Sequence, residues 1–209
     1  KTRPRDNAGL SRLMTSLELF KLMEKMGITP DSTDVRTALD FSDAKKFTVT
    51  KECTPTDTAD IYIEDGRYYL VFDGKVAVIA EETLENILNN GYIKKRVYDY
   101  KNLYKAHPET CGVVFDAMLA AYLINPSASS YSADRLISEY ATPIPEIGRD
   151  IDGAIKNACL FSVCCDRLEK ELKETNQRKL LDEIELPLAK VLGDMELCGF
   201  LVDIKGLED

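Results

Sequence analysis

Tryptophan is absent, and histidine occurs once, at His107. One histidine with no acid near it in sequence leaves the serines Ser127, Ser129, Ser130 and Ser132 without a base, which argues against Ser-His hydrolysis. The six cysteines, Cys53, Cys111, Cys159, Cys164, Cys165 and Cys198, form no C-x-x-C pair. Zinc sites want clustered Cys and His at fixed spacings, so these thiols read as reduced and buried. No Walker-type glycine loop is present. The longest uncharged run, Ala117 to Ala133, is broken by Asn125, Pro126 and serines. It falls short of the about 20 apolar residues of a membrane span. Basic charge is also short, for the net charge is −9. That opposes free-standing nucleic-acid binding, which depends on Lys and Arg neutralising phosphates.

What is present describes an ordinary globular chain, with 44% apolar and 30% charged residues over 209 positions. It begins at Lys1 rather than Met, which predicts a piece of something longer. "KKFTVTKE" reads as a strand. In "ADIYIEDGRYYLVFDGKVAVIA", Asp65-Gly66 and Asp73-Gly74 separate three β-rich runs, which predicts an antiparallel meander. "EETLENILNNG" predicts a helix, and another is expected from about Tyr98. "CGVVF" predicts a short buried strand. In the segment after it, Phe115, Met118, Leu119, Tyr122 and Leu123 share one helical face, with Leu119 expected in the core. Ala117, Ala120 and Ala121 keep the other side thin, and Asp116 can cap the start.

Helices are also expected in "SYSADRLISEYA" and "AIKNACLFSVCCDRLEKELKE", and from Gln177 to Cys198 with a kink at Pro187. "GFLVDI" predicts a further strand. Strands first, then alternation, then helices give an α/β architecture with a mixed sheet.

Two stretches carry a family resemblance. "FDAMLAAYLINPSASSYSADRL" resembles the Phe-Asp-Thr-Met-Leu-Ala-Ala-Tyr-Leu-Leu-Asn-Pro helix of the bacterial DNA polymerase I family. "LLDEIELPLAKVLGDMELCGFLVDIKGLE" resembles the pattern that opens that family's polymerase region, through Glu185, Pro187, Leu188, Leu192, Met195, Glu196, Gly199, Val202, Asp203 and Leu207. "LELFKLMEKMGI" is similar to the helix that follows the family's 5′-nuclease domain. The resemblance implies a ribonuclease H-like 3′–5′ exonuclease fold, a mixed sheet flanked by helices. It implies three parts: a linker and joining helix (1–30), an exonuclease-like domain (31–172) and the start of the polymerase domain (173–209). It also implies DNA as partner through a parent polymerase, the 5′-nuclease and polymerase domains in cis, Mg for that polymerase, a cytoplasmic setting and no membrane.

Active members of the family hold two metal ions about 4 Å apart with four carboxylates. Aligned by resemblance, the first motif falls on Thr50-Lys51-Glu52, with Thr at the Asp position. The second runs from Lys95 to Leu103, keeping Lys101 but placing Leu103 at the metal-binding Asp. The third ends on Asn157 where Asp is needed. Thr50, Glu52, Leu103 and Asn157 therefore retain one carboxylate, which predicts a degenerate site with no metal or other cofactor of its own. An active exonuclease on other carboxylates and a protein-interaction module are the alternatives.

Asp57, Asp60, Glu64 and Asp65 crowd one hairpin, and Asp150 and Asp152 flank Ile151. They read as solvated turn and cap residues. Residues 92–108 carry five basic groups against one acidic. Lys94, Lys95, Arg96, Lys101 and Lys105, interleaved with tyrosines, are candidates for weak single-stranded DNA contact or for a solvated helix edge.

Overall fold

The structure is a computed structural model, and it describes residues 45–142, 144–147 and 151–199. The joining helix expected before residue 31, Asp150 and the strand expected at "GFLVDI" lie outside the described residues. Among the described residues, seven strands form one sheet in the order β6-β5-β2-β3-β4-β1-β7. They are β1 (Lys46–Val49), β2 (Thr58–Glu64), β3 (Arg67–Phe72), β4 (Lys75–Ile79), β5 (Lys94–Val97), β6 (Val113–Asp116) and β7 (Glu146–Ile147). The meander β2-β3-β4 is antiparallel, and every other pairing is parallel.

Both expected hairpins form on their Asp-Gly pairs. Asp65 and Gly66 have φ of 49° and 71°, and Asp73 and Gly74 have 46° and 70°. Positive φ at both central positions matches the right-handed twist of the flanking strands.

The helices among the described residues are α1 (Glu81–Leu88), α2 (Tyr100–Ala106), α3 (Ala117–Ile124), α4 (Ala133–Tyr140), α5 (Gly153–Glu174), the single turn α6 (Arg178–Leu180) and α7 (Leu186–Cys198). The segment 94–97, expected as the approach to a helix, is strand β5, and α2 starts at Tyr100. α5 is the spine. It lies over β2, β3 and β4, with α3 and α4 alongside. Strand alternation aims Asp60, Tyr62 and Glu64 of β2 at one face. Tyr62 meets Phe161 of α5 there, ring centroids 5.5 Å apart. Cys159, Cys164 and Cys165 are buried on α5, Cys53 and Cys111 are half-buried, Cys198 is exposed, and all six are free thiols.

The inward face of α3 differs from the expected one. Ala117, Ala120 and Ala121 are buried, Leu119 is half-buried and Tyr122 is exposed. Small side chains let α3 approach α5 closely, and that contact outweighs the larger apolar stripe. Ala120→Leu is therefore expected to overpack the α3–α5 contact and cost about 1–3 kcal/mol. Leu119→Ala should cost less than the about 2–5 kcal/mol of a core leucine. Urea denaturation of the two variants checks this order.

Just before Pro187, where a kink is expected, stands a wide π turn, Leu181–Glu185, in which the Leu186 N–H bonds the Leu181 carbonyl. Proline has no N–H, and its ring crowds the carbonyl four residues back, so a widened turn relieves the clash. Beyond it, Leu186–Cys198 is one continuous helix, within the range expected. α7 is held by α2: a Cβ on Gly193 would come within 2.9 Å of the Tyr104 ring. Tyr104 Oη donates to Asp194 Oδ1 at 2.7 Å. α5 itself crosses the expected boundary at residues 172 and 173.

Candidate functional site

In an open α/β sheet, ligands bind outside the carboxyl ends of adjacent parallel strands whose connections leave in opposite directions. β2 and β5 are such a pair. β2 leads by a hairpin to β3 on one side, and β5 leads through α2 to β6 on the other. Tyr62 and Glu64 lie toward the end of β2, Tyr98 and Asp99 follow β5, and Asn157 of α5 reaches Glu64 there.

Asn157 donates from Nδ2 to Glu64 Oε1 at 3.0 Å and to Oε2 at 3.4 Å. Tyr62 is buried, and its hydroxyl is pushed up to about 12 by burial first and then by the Glu64 and Asp134 charges. Tyr98 Oη donates to the Tyr131 carbonyl at 3.0 Å, and burial raises its pKa as well. Asp99 sits at φ 55° and caps α2 through the Asn102 N–H. Leu103 is buried in α2.

Thr50 and Glu52 lie elsewhere. They follow β1, which is separated from β5 by β4, β3 and β2. At about 4.8 Å per strand, that distance is roughly 19 Å. Glu52 is exposed and pairs with Lys75 at 3.3 Å, while its N–H donates to Thr50 Oγ1 at 3.1 Å. The four aligned positions are thus not brought together. The strand beside β5 is β2, so Glu64 is the carboxylate that meets Asn157. The alternation Asp60, Tyr62, Glu64 was visible in sequence, but only the parallel pairing of β2 with β5 gives it a place at the site.

A two-metal centre does not fit these residues. Glu64 already has both oxygens engaged by an amide, and Leu103 and Asn157 supply no charge. Hard divalent ions need several carboxylate or carbonyl oxygens. Among the described residues no group of three or more His, Cys, Asp or Glu is arranged to hold a metal.

Two buried carboxylates serve structure instead. Asp60, expected to be solvated, is buried and receives Arg96 at both oxygens, from Nε at 2.5 Å and Nη2 at 2.6 Å. Arg96 Nη1 donates to Asp166 of α5 at 2.7 Å, and Lys45 pairs with the same aspartate. Burial opposes the Arg96 charge, but the hydrogen bonds and charge of Asp60 outweigh it and raise the pKa. Asp116 caps α3 as expected, accepting from Met118 N at 2.8 Å and Leu119 N at 3.2 Å. It also accepts from Tyr100 N at 2.7 Å and Asp99 N at 3.3 Å, which ties α2 to α3. Asp152 caps α5 through the Ala154 N–H.

The basic stretch is largely consumed inside the fold. Lys95 is fully buried and donates to the carbonyls of Asn90 at 2.5 Å and Cys111 at 2.7 Å. Lys95 and Arg96 point to opposite faces of β5, and both faces are covered, so neither is open to DNA. Lys94 is exposed beside Asp57 at 3.2 Å. Lys101 and Lys105 both reach Glu196.

Residues 53–146 match the family described as DNA polymerase I, ribonuclease H-like domain. DNA polymerase I of Bacillus subtilis is 28% identical over 165 residues, 69% of this chain and 18% of that protein. The Bacillus caldotenax enzyme is 30% identical over 166 residues, with the same 69% and 18% coverage. The chain thus spans about a fifth of these relatives. A solved structure described as the POL domain of Pol1 from M. smegmatis, in complex with DNA primer-template and dNTP, superposes with a TM-score of 0.57 at 28% identity. That match covers 68% of this chain and 27% of the other. With the mixed sheet and its helices, these matches show that the chain carries, over residues 53–146, the ribonuclease H-like domain of the DNA polymerase I family.

Proposed function

We propose that this domain is a catalytically inactive relative of the 3′–5′ exonucleases, and that it gives structural support to a polymerase that copies DNA in replication and repair. The observation that carries the reading is the Asn157–Glu64 pair at the ends of β2 and α5's first turn. An amide occupies the place where two-metal chemistry needs another carboxylate. Tyr62, two residues before Glu64 on the same face of β2, is buried beside it.

The remaining polymerase parts would act in cis, in the cytoplasm. DNA would be the partner of the whole protein, a reading supported by the primer-template held by the M. smegmatis relative. Mg would belong to the polymerase chemistry and not to this domain. Mn²⁺ titration followed by electron paramagnetic resonance tests the site directly. No saturable uptake is expected below about 1 mM, the weak end of oxygen-ligand sites. Micromolar uptake of two ions, abolished by Glu64→Ala, would overturn the proposal.

A further inference from the structure

The contact between α2 and α7 has an electrostatic half. Lys101 and Lys105 lie four residues apart on α2, so they share one helical face. Lys101 Nζ donates to Glu196 Oε1 at 2.7 Å, and Lys105 Nζ donates to Oε2 at 2.5 Å. One carboxylate thus presents an oxygen to each lysine, much as a phosphodiester presents its two non-bridging oxygens. Lys190 sits 5.3 Å from the centre of the Tyr104 ring, on the same side of α2. Glu196 is 43% exposed, so these two ion pairs face solvent. Beyond Ala189, Gly193 is the only buried residue of α7. Surface ion pairs are individually weak and are screened by salt.

We propose that Glu196 is an acidic strap that masks a phosphate-binding pair, Lys101 and Lys105, and that the final turn of α7, beyond Asp194, lifts to let a nucleic-acid backbone take its place. The strap explains how a cationic pair persists in an acidic chain without binding polyanions indiscriminately. It stands apart from the inactive-site reading, since it concerns neither metal nor hydrolysis.

The test is binding of a fluorescein-labelled oligothymidylate of about 20 nucleotides, in low and moderate salt. Glu196→Gln keeps the side-chain shape and removes the charge. It should tighten binding by roughly three- to tenfold at about 50 mM salt. The slope of log affinity against log salt should steepen by about 1.4, because each of two freed lysines contributes roughly 0.7 on a single strand. Adding Lys101→Ala and Lys105→Ala to the Gln variant should return affinity and slope to the parent values. Unchanged affinity in Glu196→Gln overturns the proposal. So does a gain that survives loss of both lysines, which would mark a general charge effect. A melting curve for each variant confirms that the comparison is between folded proteins.

Discussion

Arg96→Met is expected to destabilise the domain by about 3–5 kcal/mol, the cost of leaving a buried ion pair with one partner. Arg96 touches both oxygens of Asp60, whose side chain is 5% exposed. Without the guanidinium, Asp60 must either stay charged in a dry site or take up a proton. The second partner, Asp166, is 38% exposed and also pairs with Lys45, so water and lysine can compensate it. The loss should therefore trace to Asp60. Pairing Arg96→Met with Asp60→Leu should recover much of the stability, since apolar replacements of buried ion pairs are often neutral or better. Urea denaturation of the single and double variants measures both. A single variant within 1 kcal/mol of the parent would mean that the triad does not bind β2, β5 and α5 together.

Asp116→Ala is the second large effect, at about 2–4 kcal/mol. A lost N-cap typically costs ~1 kcal/mol. Leaving a buried N–H unpaired adds about 1–3 kcal/mol. Asp116 is 1% exposed and serves the first turns of two helices at once, so both costs apply. The cost should depend on pH in a defined direction. Burial raises the pKa of Asp116 to about 6 in spite of its N–H donors. An unfolded aspartate titrates near ~3.9. The folded state therefore holds the proton more tightly, and the parent loses stability from this group as pH rises from about 4 to about 6, by up to about 3 kcal/mol. Asp116→Ala removes that slope, so the variant should look more damaged at pH 5 than at pH 8. The opposite order would mean that the four N–H donors, and not burial, dominate the site.

Local chemistry was legible in the sequence. Asp65-Gly66 and Asp73-Gly74 fix their hairpins by backbone preference alone, and Asp116 caps α3 two residues away. What depends on contacts distant in sequence was not. Asp60 looks like a solvated turn residue until β2 is set beside β5 and Arg96 arrives from 36 positions on. Lys95 and Arg96 look like a basic surface until both faces of β5 are covered. α3 turned its alanines inward because α5 needs a close neighbour, which a hydrophobic stripe cannot reveal. At the site, the resemblance gave Asn157 its position, but the order of strands decided which carboxylate meets it. The first strand in sequence lies toward the far edge, and Glu64 of the second takes that role.

The central claim is that the strand-end site performs no metal-dependent hydrolysis. A 5′-labelled single-stranded oligonucleotide, incubated with the purified chain and Mg²⁺ or Mn²⁺, tests it most directly. The account predicts no shortening from the 3′ end beyond an EDTA control. Shortening that requires the metal, and that disappears with Glu64→Ala or Glu52→Ala, would contradict it.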